Sequence, residues 1–326
     1  MAANRKKVLL PENLACAGWD LIRGRDDVEA LAYSPAVSKA EFHRALADAE
    51  GVVLSFTPYS AAELAASPAM RVVARIGVGY DAVDVPALTA RRIPLMIAGT
   101  ANSVSVAEHA LAMMLALAKR TMQLDPLVRA GRWQARYADM PLDLASRTVL
   151  VIGFGRIGSR TAARCRAMDM TVLVSDPYVP AEAIRTAGAA PVADLDTALP
   201  RADFLTIHCP KTPATVGLID ARRLALLKPS AFVVNTARGG IVDEAALAGA
   251  LAGGKLAGAA IDVFVTEPVE AANPLLRLPS VILSPHMAGV TIEATERAAR
   301  AAIRNILSVF DERPIRENVV NPEVLG

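Results

Sequence analysis

Five apolar or β-branched residues, Thr148–Ile152, run directly into Gly153-Phe154-Gly155-Arg156-Ile157-Gly158 and then into Ser159-Arg160-Thr161-Ala162-Ala163. A G-x-G-x-x-G string alone says little. Here a strand, a glycine turn, a helix and a second strand ending in Asp176 follow in the order of a βαβ unit that binds dinucleotides. Gly153 permits a tight turn, Gly155 lets the backbone approach a pyrophosphate, and Gly158 allows the helix to pack closely on the sheet. The helix N-terminus supplies free N–H groups and partial positive charge, so the anion needs no lysine. Asp176 lies about 20 residues beyond the last glycine, where a carboxylate accepts from the adenosine ribose hydroxyls. It would repel a 2′-phosphate, and Pro177 and Tyr178 follow it rather than an arginine. The expectation is therefore NAD rather than NADP, held by Gly153, Gly155, Arg156, Ile157, Gly158 and Asp176.

Short β-branched runs such as Val8-Leu9-Leu10, Gly51–Leu54, residues 71–75 and residues 171–174 predict fully buried parallel strands. Alanine-rich helical stretches at 61–66, 158–168 and 243–252 alternate with them. That alternation predicts an α/β protein of two doubly wound lobes, Rossmann-like and flavodoxin-like, with parallel sheets. Two lobes also suit 326 residues, more than one core usually serves. Because the glycine turn comes only near residue 150, a first lobe occupies the N-terminal part. Ser105-Val106-Ala107-Glu108 matches a capping box, predicting that a long helix starts there and crosses between the lobes.

Lysine plus arginine (35) nearly cancel aspartate plus glutamate (33), and the arginines are scattered, so no nucleic-acid partner is expected. Arg71, Arg91 and Arg92 read as solvated charges. Cys16, Cys165 and Cys209 are too few for a disulfide framework, which points to a reducing cytoplasm. Residues 1–10 are basic and then apolar up to Pro11, the pattern of a first strand rather than of a secretory signal. The longest apolar helix, near residues 110–118, is half the ~20 residues that span a bilayer, so a soluble protein without membrane contact is expected. His43, His109, His208 and His286 lack ligand spacing, so no metal is expected; His208 beside Cys209 reads as cofactor-pocket or core packing.

Three segments place a polar or ionisable residue just after an apolar strand: Phe-Val-Val-Asn-Thr-Ala-Arg238-Gly-Gly, Ala-Ala-Ile-Asp262-Val-Phe-Val-Thr-Glu267-Pro and Val-Ile-Leu-Ser-Pro-His286. Parallel sheets bind ligands beyond the carboxyl ends of their strands, so Arg238, Glu267 and His286 are expected to converge. With the glycine fingerprint, these strings resemble, in order and spacing and over nearly the whole chain, the D-isomer-specific 2-hydroxyacid dehydrogenases. That family includes phosphoglycerate dehydrogenases and glyoxylate or hydroxypyruvate reductases.

The resemblance implies D-stereospecific hydride transfer between NAD and a small 2-hydroxy or 2-keto acid. His286 would move the hydroxyl proton as base or acid. Glu267 would fix its tautomer, and Arg238 would hold the substrate carboxylate with a forked guanidinium. By the same resemblance Asp262 meets the nicotinamide carboxamide, and Val104, Pro210, Thr215 and Ala237 also touch the cofactor. In Arg75-Ile76-Gly77-Val78-Gly79-Tyr80-Asp81, the amides of Val78 and Gly79 hold the carboxylate, and Asn102 lines the nicotinamide end. The last helix, about 291–311, returns to the first lobe, giving a discontinuous substrate-binding domain of residues 1–100 plus 291–326 and an NAD-binding domain of 101–290, with a cleft between. A homodimer is implied, with the helix near 105–119, the segment 125–144 and Trp133 as candidate contacts.

One departure concerns the substrate. Phosphoglycerate dehydrogenases commonly carry an arginine, able to reach a phosphate, where this chain has Leu54; the chain also ends at Gly326, without the regulatory module many of them carry. Both favour an unphosphorylated acid such as glyoxylate, hydroxypyruvate or a longer apolar 2-keto acid. Phosphoglycerate dehydrogenase stays as an alternative. Formate dehydrogenases fit less well, because they lack the glutamate partner. The alternative from another class is an NADH-sensing interaction protein like the family's corepressor members.

Overall fold

The computed structural model describes residues 5–326, so of the stretch 1–10 only residues 1–4 lie outside the described residues. The chain divides into two compact units, Met1–Asn102 with Val290–Gly326, and Ser103–Gly289. In the first, β1 (Lys6–Pro11), β2 (Val28–Tyr33), β3 (Gly51–Leu54), β4 (Val72–Arg75) and β5 (Leu95–Met96) form a parallel sheet in the order β2-β1-β3-β4-β5. Alternate side chains on a strand face opposite ways, and here both faces are covered. Leu9, Val52, Leu54 and Val73 pack with Phe42, Leu46 and Leu88 on one side. Val8, Leu10, Val53, Val72 and Ala74 pack beneath Ile303, Ile306 and Phe310 of the helix Ile292–Phe310 on the other. The tail then covers the sheet edge: Asn321 accepts the Leu95 N–H at 2.9 Å and donates to the Ile93 carbonyl, satisfying groups an edge strand would leave open.

In the second unit β6 (Thr148–Ile152), β7 (Thr171–Ser175), β8 (Ala190–Pro191), β9 (Phe204–Ile207), β10 (Phe232–Asn235), β11 (Gly258–Ile261) and β12 (Val281–Leu283) form a parallel sheet. Its order is β12-β11-β10-β9-β6-β7-β8. The chain builds outward from β6 to β8 on one side and resumes at β9 on the other. The switch point between β6 and β9 is where such sheets leave a crevice for ligands. Leu150, Ile152, Leu205, Ile207, Val233 and Ile261 pack on one face, while Val149, Val151, Phe204, Val234 and Ala260 pack against Ala110, Met113, Met114 and Leu117 on the other.

Those last four residues belong to the helix Ser103–Lys119, which corrects two expectations. It starts at Ser103, so Ser105 is buried within the first turn rather than capping it, and Glu108 pairs with Arg164 at 3.1 Å. It also falls wholly within the second unit instead of crossing. Capping boxes do occur at Ser38–Glu41 and Ser60–Glu63, ahead of the helices Lys39–Leu46 and Ala61–Ala65. Among the described residues no helix is long and apolar enough to cross a membrane.

Candidate active site

The glycine turn is shaped by close backbone contacts. Gly153 has φ +88°, and a Cβ there would lie 2.8 Å from the Cys209 nitrogen and the His208 carbonyl carbon. A Cβ on Gly158 would sit 1.9 Å from the Gly153 oxygen, so the helix Gly158–Ala167 can only start this close with glycine. Gly155 is the opposite case, with nothing within 4 Å of where its Cβ would point. That open face beside a ten-residue helix's N-terminus is a cradle a side chain would fill, and it fits a phosphate group.

Asp176 buttresses the turn. Its Oδ2 accepts the Phe154 N–H at 2.6 Å, and its Oδ1 accepts those of Tyr178 and Val179 at 2.8 and 3.1 Å. A carboxylate has about four acceptor positions, so some capacity remains for a ribose hydroxyl. Beneath the turn, burial pushes the His208 imidazole down to about 3, and its Nε2 meets Thr206 Oγ1 at 2.9 Å. This ring is neutral and half-buried. Burial likewise pushes the Cys209 thiol up to about 11, with the Asp176 charge adding to the shift, so it is not a thiolate. The loop beyond is tied locally: the Thr215 hydroxyl donates to the Pro210 carbonyl at 2.7 Å and accepts the Thr212 N–H at 2.7 Å.

The loops after β10, β11 and β12, neighbouring strands of one sheet, carry the ionisable residues. Asn235, buried at the end of β10, accepts the Ala237 N–H at 3.0 Å and donates to the Arg238 carbonyl at 2.9 Å, which turns the chain so that Arg238 emerges half-buried. The next residue, Gly239, packs so tightly on the following loop that a Cβ would lie 1.9 Å from the Phe264 oxygen. Glu267 uses both oxygens: Oε1 accepts the Phe264 N–H at 2.9 Å, and Oε2 meets His286 Nδ1 at 2.7 Å. Since a carboxylate only accepts, Nδ1 carries a hydrogen, and in the neutral imidazole Nε2 is then the nitrogen with the lone pair. The pair is partly exposed, at 35% for His286 and 36% for Glu267, so a reactant can reach it.

His286 has φ +56°, uncommon for a residue with a Cβ. Asp262 holds it there. The His286 N–H donates to the Asp262 carbonyl at 2.8 Å, while the Asp262 carboxylate, 0% exposed, accepts from Ser284 Oγ at 2.6 Å and from the Met287 and Ala288 N–H groups at 2.8 and 3.0 Å. The residue expected to meet a nicotinamide carboxamide is thus enclosed, fastening the loop that carries His286. The sequence alone pointed to neither Ser284 nor Asn235. A polar residue directly after or at the end of an apolar strand is the signal that both share with Asp262.

In the first unit, Arg75 Nε donates to the Gly79 carbonyl at 2.9 Å and its Nη1 to the Ser55 carbonyl, bracing the loop that contains Val78 and Gly79. Gly77 takes φ +141°, the freedom this turn requires. Asn102 Oδ1 is buried without a hydrogen-bond partner among the described residues, and in the second unit Val104 is 38% exposed. No group of residues suited to a metal ion occurs among the described residues.

The sequence profile of the D-isomer specific 2-hydroxyacid dehydrogenase, NAD binding domain, matches residues 111–288. A D-3-phosphoglycerate dehydrogenase from Archaeoglobus fulgidus is 38% identical over 98% of this chain and 60% of its own length. The chain spans between 52% and 60% of the length of eight such curated relatives, each described as a D-3-phosphoglycerate dehydrogenase. Among solved structures, the TT0316 protein from Thermus thermophilus superposes with TM-score 0.86 at 30% identity, covering 96% of this chain and 99% of that one. An NADPH-dependent glyoxylate/hydroxypyruvate reductase from Sinorhizobium meliloti, solved with NADP and malonate, gives TM-score 0.82 at 28% identity, covering 96% and 98%.

Proposed function

The chain belongs to the D-isomer specific 2-hydroxyacid dehydrogenase family, its second unit carrying the NAD-binding domain, and from that premise we propose that it interconverts a small D-2-hydroxy acid and its 2-keto acid. The observation that carries the reading is the Glu267–His286 pair, with Nε2 left as a base on a partly exposed ring. Bound nicotinamide supplies or accepts the hydride. His286 takes the hydroxyl proton in oxidation and returns it in reduction, and Glu267 steadies the imidazolium that results. Arg238 holds the substrate carboxylate and polarises its carbonyl, with the Val78 and Gly79 amides as further donors and Asn102 at the nicotinamide end. Val104, Pro210, Thr215 and Ala237 complete the cofactor contacts, while Asp262, enclosed, serves through the His286 loop it fastens. Asp176 supports NAD over NADP, because its carboxylate repels a 2′-phosphate and no arginine follows it.

Leu54 supports an unphosphorylated substrate, since it is 0% exposed in the core and offers nothing to a phosphate. The second reading, 3-phosphoglycerate, is favoured by the descriptions of the curated relatives. One assay separates them: NADH oxidation with glyoxylate, hydroxypyruvate, 4-methyl-2-oxopentanoate and phosphohydroxypyruvate. We expect the highest kcat/KM on an unphosphorylated acid and a lower KM for NADH than for NADPH. Greater activity on phosphohydroxypyruvate would replace the first reading with the second. Tight NADH binding without turnover on any acid would favour a sensor.

A homodimer is part of the proposal. The helix Thr121–Arg129 and the 3-10 turn Trp133–Tyr137 bury none of their residues, and Met122, Val128, Trp133, Tyr137 and Met140 are each 58% to 64% exposed. Such apolar exposure fits a covered face. Sedimentation should give a dimer that Trp133→Glu weakens; a wild-type monomer at micromolar concentration would end this part of the reading.

A further inference from the structure

Asp262 accepts from Ser284 Oγ and the Met287 N–H on Oδ1 and from the Ala288 N–H on Oδ2, so its open acceptor position is on Oδ2. A ring nitrogen beside this buried carboxylate belongs to His109, on the helix Ser103–Lys119. Its Nε2 is buried, has no hydrogen-bond partner among the described residues, and lies 3.9 Å from Asp262 Oδ1. A buried donor without an acceptor is costly, and a ring displacement of about 1 Å brings this one to hydrogen-bond length. Glu108, next to it on the helix, is occupied with Arg164 and does not compete.

We propose that His109 is a positioning residue for the catalytic loop: its Nε2–H donates to Asp262 and thereby holds residues 284–288, and with them His286. The inference rests on the reading of His286 as the proton-transfer group. Its physical sense comes from the backbone. His286 occupies a left-handed conformation that persists only while neighbouring bonds over-determine it, and most of those bonds end on Asp262. Removing one donor from that carboxylate frees it to turn toward another, loosening the Met287 and Ala288 amides. The imidazole then loses its fixed direction, while the glycine turn, on other elements of the unit, keeps its shape.

The test compares His109→Leu with His109→Gln, whose side-chain N–H reaches about as far as the imidazole Nε2. Amide exchange of residues 284–290 is measured on the enzyme without substrate, alongside steady-state kinetics. In the leucine variant, exchange at Met287 and Ala288 should rise about tenfold and kcat fall about tenfold with little change in KM for NADH; glutamine should restore both toward wild type. Unchanged exchange in the leucine variant overturns the proposal, and so does a glutamine variant as impaired as the leucine one. If the leucine variant does not fold, His109→Ala replaces it with the same expectations. Exchange is read without turnover, so it still decides the His109 contact if His286→Ala retains activity and the catalytic reading itself fails.

Discussion

His286→Ala lowers kcat by about a hundredfold or more at every pH while leaving NADH affinity near wild type, because a positioned general acid or base contributes on the order of 10²–10⁴ to such a step. The two halves of that result arise from different parts of the molecule. Proton transfer needs an imidazole whose Nε2 is free and whose Nδ1 is held, and Glu267 provides the holding at 2.7 Å. Dinucleotide binding depends on the turn after β6, on other strands of the sheet. His208 cannot take over the role, because its pKa is pushed down to about 3 by burial, leaving it without a useful proton near neutrality. The measurement is kcat with the best 2-keto acid over a range of pH, with NADH binding followed by fluorescence. Turnover within a few-fold of wild type would remove His286 from the mechanism, whatever the cofactor data say.

What the sequence disclosed, and what it withheld, follows from how local each constraint is. The glycine turn was legible because the clash that requires Gly158 involves the Gly153 oxygen, five residues away in the same loop. The strands were legible because burial on both faces leaves continuous apolar runs such as Thr148–Ile152. Arg238, Glu267 and His286 stood out because each closes or follows such a run, and Glu267 does meet His286. The role of Asp262 was not legible. Its partners Ser284, Met287 and Ala288 lie 22 to 26 residues further along and reach it only because β12 pairs with β11. The Ser105–Glu108 match misled for the opposite reason: the local pattern was right, but the helix already runs from Ser103, packed through Met113 and Met114 on the sheet. Packing outweighed a motif that elsewhere, at Ser38 and Ser60, does form caps.

Gly158→Ala and Gly155→Ala separate what the turn requires of the fold from what it offers a ligand. At Gly158 the added methyl meets a backbone oxygen at 1.9 Å, and backbone cannot swing aside as a side chain can, so the helix Gly158–Ala167 must move off the turn. Overpacking of this kind costs about 1–3 kcal/mol and occasionally more, which should appear as a lower Tm even without cofactor. Displacing the helix N-terminus also removes the donors meant for the pyrophosphate, so NADH affinity should fall by about a hundredfold or more. At Gly155 nothing lies within 4 Å of the new Cβ, so the Tm of the free protein should stay near wild type. The methyl would nevertheless occupy space the backbone must leave for the phosphates, and binding should weaken there too. Titration of both variants with NADH and with ADP-ribose, which shares the pyrophosphate but lacks the nicotinamide, gives the decisive comparison. Equal losses for the two ligands place the fault at the phosphates. A Gly155→Ala protein that bound both as tightly as wild type would mean that the pyrophosphate does not lie on this turn, and the cofactor assignment would have to be abandoned.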